Sequence, residues 1–192
     1  MKKFNNTYYI LRHGQTIHQI KKKNVIYFWP EDKPPASLTK KGRHQIEIAT
    51  KLLKNDKPDL IFASDALRTR QTSQIVAKKF GLKVNLDHRL REVNFGIYNG
   101  KNRAKFFQAF PNPIERFKKA PQKGESWNDV IKRLKSFLKE VEKKYKKKTI
   151  LVVGHGEPLW LFGGMVRGLN EKELVKEYLE KSKPTLGELR GL

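Results

Sequence analysis

The stretch Thr149-Ile150-Leu151-Val152-Val153-Gly154-His155-Gly156 decides how the remainder of the chain is read. Its first five residues are β-branched or aliphatic without interruption. That marks a strand covered on both faces, as in a parallel sheet flanked by helices, rather than one that alternates between core and water. The run stops at Gly-His-Gly, and Glu157-Pro158 then opens a helix, because proline fits a first turn where its missing N–H is not needed. A helix start beside His155 aims free N–H groups at an anion held there.

Two more short apolar runs lie upstream, Tyr8-Tyr9-Ile10-Leu11 and Asp59-Leu60-Ile61-Phe62-Ala63. Apolar residues recur at helical spacing over 39–54, 66–80 and 128–147, the last with Val130, Leu134, Phe137, Leu138, Val141 and Tyr145 on one face. Strands alternating with helices predict a single α/β domain over residues 1–192, built on a mainly parallel sheet with ligands outside the carboxyl ends of its strands. Proline-containing loops over 21–37 and 111–125 are candidate walls of a site. The segment 172–192 adds either a helix and an edge strand or a loose tail.

Composition narrows the chemistry. The chain has 192 residues, 38% of them hydrophobic, enough for one core. It carries 42 Lys+Arg against 19 Asp+Glu, a formal net charge of +23, and its pI is about 10.2. Such a balance favours anionic partners, whether nucleic acid, anionic lipid or small phosphorylated compounds. No cysteine is present, which excludes a disulfide scaffold, thiolate zinc sites, iron–sulfur clusters and a cysteine nucleophile. The start, Met1-Lys2-Lys3-Phe4-Asn5-Asn6-Thr7, leads only into Tyr8 to Leu11, whereas a signal peptide needs an apolar run of about 7–15 residues. The mostly apolar stretch 158–166 is far short of the ~20 residues that cross a bilayer. The expectation is a soluble cytoplasmic protein with no membrane partner, its oligomeric state left open. Lysine runs at 21–23, 143–144 and 146–148 are scattered, and the latter two read as the solvated face of an amphipathic helix.

Three predicted strands end in groups suited to phosphate: Arg12-His13-Gly14, then Ser64 with Arg68, then His155-Gly156. If these strands are neighbours, two arginines and two histidines face one crevice. Arginine supplies a planar fork of donors that matches phosphate oxygens and stays charged at any working pH. Gly14 and Gly156 allow close backbone approach. Arg68 and Arg70 sit two apart at a helix start and cannot share a face, so at most one points inward. Leu90-Arg91-Glu92-Val93-Asn94-Phe95-Gly96 adds a carboxyl group in a loop, where a bland alternative is an ion pair with Arg89 or Arg91.

These pieces together resemble the histidine phosphatase superfamily. Arg12-His13-Gly14-Gln15-Thr16 is similar to its Arg-His-Gly-Glu-Thr signature, and Leu38-Thr39-Lys40-Lys41-Gly42-Arg43-His44-Gln45 to its Leu-Thr-x-x-Gly-x-x-Gln helix start. Ser64 to Thr72, Leu90-Arg91-Glu92 with Gly96 and Gly100, Gly124-Glu125-Ser126 and Val152 to Gly156 follow in order, so the likeness spans residues 8 to about 168. It implies a three-layer α/β/α sandwich of the phosphoglycerate mutase type. It further implies that His13 is a nucleophile forming a phosphohistidine, that Arg12, Arg68, His155 and the backbone N–H of Gly156 bind phosphoryl oxygens, and that Glu92 is the proton donor. A neutral imidazole has one lone pair for in-line attack, and surrounding cations spread the charge on the transferring group, so no metal and no cofactor is expected. Glu92 must hold a proton near neutrality, which predicts a raised pKa.

The sequence departs from the family pattern at four places. Gln19 stands where Asn is frequent and can still donate to phosphate through a longer arm, and His18 stands where an aromatic is frequent. Asn99 replaces an acid before Gly100. Glu157 puts a negative charge beside an anion site unless it points outward. His18, His44 and His88 belong to no recognisable motif, His44 reading as a helix-surface residue and His88 as a loop or strand-edge one; no pair has the His-x-x-x-His spacing of a zinc site. Phe28-Trp29 and Phe106-Phe107-Phe110 either line a substrate mouth or simply pack. The expected function is hydrolysis of a small phosphorylated metabolite. One alternative is a cofactor-dependent phosphoglycerate mutase, for which the interval between Glu92 and His155 looks too short to carry a generous lid. Another is a basic nucleic-acid-binding module, against which stand the lack of any nucleic-acid motif and of aromatics interleaved with the lysine runs.

Overall fold

The computed structural model describes residues 4–192. Met1–Lys3, part of the opening read above for a leader, lie outside the described residues. The elements run β1 (Thr7–Arg12), α1 (Ile17–Lys21), α2 (Lys40–Leu52), β2 (Leu60–Ala63), α3 (Leu67–Phe80), β3 (Val84–Leu86), α4 (Arg103–Ala109), α5 (Trp127–Lys144), β4 (Thr149–Gly154), α6 (Gly156–Arg167), α7 (Glu171–Leu179) and β5 (Leu189–Gly191). One sheet has the order β3-β2-β4-β1-β5; its first four strands are parallel and β5 runs antiparallel to β1.

The uninterrupted apolar run of β4 explains why it lies at the centre. Ile150 and Val152 enter a core with Leu134 and Phe137 of α5 and Leu161 and Phe162 of α6. Leu151 and Val153 enter a second core with Ile46 and Ala49 of α2 and Val76 of α3. Two cores on opposite faces make three layers, α/β/α, as expected. These four β4 side chains are fully buried, and burial of each stabilises by roughly 1.5–3 kcal/mol.

Helix ends follow local chemistry. Thr39 caps α2 by accepting from the Gly42 N–H, and Ser126 with Asp129 forms a capping box on α5. Gly81, at φ +67°, closes α3 in the left-handed conformation that glycine adopts at least cost. The helix expected over 128–147 stops at Lys144 because Tyr145 is extended. Two short elements, β3 and α4, had no periodic signal to announce them. The open question over 172–192 is resolved in favour of a helix, α7, and an edge strand, β5. Among the described residues no helix is long and apolar enough to cross a membrane.

Candidate active site

Because β1 lies between β4 and β5, and β4 between β1 and β2, the carboxyl ends of β1, β2 and β4 open at one edge of the sheet, the position that parallel α/β sheets use for ligands. Backbone bonds tie these ends together: His13 N donates to Gly154 O (3.1 Å) and Ser64 N to Val153 O (3.0 Å). Close glycine contacts hold the loop after β1. A Cβ on Gly14 would lie 2.3 Å from Gly42 O, and one on Gly42 2.1 Å from Gln15 O, so the loop and the first turn of α2 touch backbone to backbone.

His13 is buried, and its Nδ1 lies 2.9 Å from Gly14 O. A carbonyl only accepts, so Nδ1 carries the proton and Nε2 keeps the lone pair. Burial, reinforced by Arg68 and Arg12, pushes the pKa of His13 well below its ordinary value and keeps the ring neutral. The His155 ring packs edge-on at 5.4 Å, with Nε2 3.0 Å from Ser64 Oγ. Its Nδ1 is buried without a hydrogen-bond partner, and so are Nε of Arg12 and Nε of Arg68. Buried polar atoms left without a partner are costly unless a ligand satisfies them. The three belong to groups gathered around His13 that act on one another's charge. A Cβ on Gly156 would come within 3.1 Å of the Arg12 Cζ, so the N-terminus of α6 rests against that guanidinium.

Glu92 follows a short helical turn at His88–Leu90. Neither Arg89 nor Arg91 pairs with it: Arg89 binds Asp87 and Glu140, and Arg91 binds Asp65. Arg133 of α5 instead holds the backbone, donating to the carbonyls of Arg89 and Glu92, and the Trp29 indole donates to the same Glu92 oxygen. Burial, then the charge of Glu157, raises the Glu92 pKa against the lowering effects of the Val93 N–H, Arg68 and Arg12. A small cleft beside Glu92 is walled by Phe28, Trp29, Phe95 and Arg103. Phe106 is buried in the core instead, with Phe110 stacked on it.

Other sequence-derived positions fall as follows. Arg68 is buried and Arg70 exposed, as their spacing requires. The Gln19 amide oxygen is engaged locally, accepting from Thr16 N in the capping box of α1. His44 is a surface residue of α2. His88 is exposed on its short turn. Asn99 serves the backbone, accepting from Phe95 N and donating to Asn94. Glu157 does not point outward. It is buried, accepts from Arg116 (2.6 Å) and from the Trp127 indole (2.9 Å), and lies 3.6 Å from Lys183. Against the penalty of burial, Arg116 and Lys183 bring its pKa down to about 2, so its charge is matched within the protein rather than directed at a ligand.

Near the crevice, Tyr27, Glu31, Asp32 and Pro184 carried no sequence signal. Glu31, in the loop between α1 and α2, accepts from Arg68 Nη1 (3.2 Å) and from Leu67 N (2.5 Å). Tyr27 lies against the Arg68 guanidinium (4.2 Å), and His18 stacks on Tyr27 (3.9 Å) with its Nδ1 2.7 Å from Asp32. Pro184 O accepts from Arg12 Nη1 (2.8 Å).

The model of the histidine phosphatase superfamily (branch 1) matches residues 8–180. Phosphoserine phosphatase 1 of Hydrogenobacter thermophilus is 29% identical over 127 residues, 64% of this chain and 60% of that protein. The probable phosphoglycerate mutase GpmB of Photorhabdus laumondii is 26% identical over 170 residues, 84% of this chain and 74% of its own. The solved structure of a mycobacterial glucosyl-3-phosphoglycerate phosphatase superposes with a TM-score of 0.80 at 23% identity, over 97% of this chain and 89% of that one.

Proposed function

The chain belongs to the histidine phosphatase superfamily, and from that premise we propose that it hydrolyses a small phosphate monoester by way of a phosphohistidine on His13. The observation that carries this reading is the set of three buried nitrogens without a partner, Nε of Arg12, Nε of Arg68 and Nδ1 of His155, grouped about a neutral imidazole. In the first step Nε2 of His13 bonds to phosphorus as the bond to the leaving oxygen breaks, and the proton of Glu92 passes to that oxygen. In the second, Glu92 takes a proton from water as the water oxygen attacks phosphorus, the P–N bond breaks and orthophosphate departs. The arginines and His155 stabilise the charge that gathers on the transferring group, usually the largest single contribution to such catalysis.

The substrate belongs to the class of small phosphorylated metabolites, with its leaving oxygen beside Glu92. Relatives named as phosphatases support hydrolysis; one named as a probable mutase keeps phosphoglycerate isomerisation as the second reading. Turnover of p-nitrophenyl phosphate with chelator present, lost in His13→Ala, together with a radiolabel trapped on His13 in the wild type, is the expected result. Isomerisation of phosphoglycerate much faster than phosphate release favours the mutase. No label on His13 during turnover sinks both.

A further inference from the structure

Arg12 and Arg68 are held in the same manner. Each has Nη1 engaged, Arg12 by the Pro184 carbonyl and Arg68 by the Glu31 carboxylate, and each has a buried Nε with no partner. In a guanidinium the Nε–H and one Nη2–H point the same way and form the edge that grips two oxygens at once. Engaging Nη1 leaves that edge open. For Arg68 the restraint is built from a single loop. Glu31 fixes the Nη1 end and docks on the N–H of Leu67, the first residue of α3, while Tyr27 covers a face of the guanidinium. Behind Tyr27 stand His18 and Asp32, and Asp32 accepts from Phe28 N (2.8 Å), which braces the loop itself.

We infer that Glu31 is a positioning residue for phosphate recognition: it orients Arg68 so that the Nε edge faces the transferring group. This rests on the reading above that Arg68 binds phosphate. The sign of its effect separates this role from a competing one. A carboxylate beside a phosphate site repels the ligand, so if charge alone mattered, its removal would tighten binding. If orientation matters, removal weakens binding, because the freed guanidinium samples other rotamers and must be ordered again by the ligand.

The test measures orthophosphate binding to the full chain by calorimetry, alongside kcat and KM for p-nitrophenyl phosphate. Glu31 lies in a loop and is 24% exposed, so its variants disturb no core. Glu31→Ala is expected to weaken orthophosphate binding by about tenfold to a hundredfold. Glu31→Gln, which keeps an oxygen for Nη1, is expected to recover part of the loss. In an Arg68→Ala background the further change Glu31→Ala should weaken binding no further, because the guanidinium it orients is already gone. Orthophosphate binding that is unchanged or tighter in Glu31→Ala overturns the inference, as does an equal loss with and without Arg68. If Arg68→Ala itself binds orthophosphate normally, the phosphate-site reading falls and this role falls with it.

Discussion

His13 and Glu92 are pushed in opposite directions, and each shift suits the part proposed for it. Burial lowers the imidazole pKa, so His13 stays unprotonated down to acidic pH; burial and Glu157 raise that of the carboxyl, so Glu92 keeps its proton further up. For phosphorylation of the enzyme, the rate is expected to rise with pH as His13 loses its proton and to fall as Glu92 loses its own, giving a bell whose two limbs belong to the coupled pair. Glu92→Gln should remove the descending limb and lower kcat by about 10²–10⁴-fold, measured by single-turnover pH profiles. Backbone contact yields a second expectation. Alanine normally favours a helix over glycine by about 1 kcal/mol, yet Gly42→Ala should destabilise by about 1–3 kcal/mol in urea, because its Cβ has no room beside Gln15 O. At this level much was readable: Arg-His-Gly and Gly-His-Gly stand at strand ends, where a crevice must form. Glu31 was not, since a carboxylate in an irregular loop has no period, and only folding sets it against Arg68. Nor was the inward turn of Glu157, which depends on Arg116 arriving from a distant turn.

Among the elements, β4 was legible because continuous apolar character has one explanation, and α5 because its apolar stripe persists over five turns. The strand β3 and helix α4 were not, being too short for a period to register. The join between α6 and the 113–117 turn shows how an element depends on a buried charge. Glu157, in the first turn of α6, accepts from Arg116 and from Trp127 of α5, so one carboxylate pins a helix start to two neighbours. Replacing it with Gln leaves Arg116 buried without its counter-ion and should cost about 3–5 kcal/mol in chemical denaturation. The pKa of Glu157 is depressed from 4.5 to about 2, so the stabilisation from this pair is complete above pH 4.5 and is lost as pH falls through about 2. Acid titration of the wild type against Glu157→Gln should show the difference between the two narrowing over that interval.

Across the whole molecule, the crevice draws on both ends of the described chain. Gly187 N donates to His13 O, Arg12 N to Glu188 O, and β5 pairs with β1 alongside. The alternation of strands and helices announced the sandwich, but not this return of 184–191 to the site, because a three-residue edge strand leaves too faint a pattern. Removing residues 182–192 should lower the melting temperature and also weaken orthophosphate binding, since Arg12 loses its Nη1 partner; circular dichroism and calorimetry measure the two effects. The bond from Arg12 to Pro184 spans 172 positions, so Arg12 is not fixed until residue 184 has been made. A nascent polypeptide still threaded in the ribosomal tunnel up to that point carries His13 and both arginines yet has no finished cradle, and under the proposed reading catalytic competence would switch on once residue 184 has emerged rather than accumulate with length.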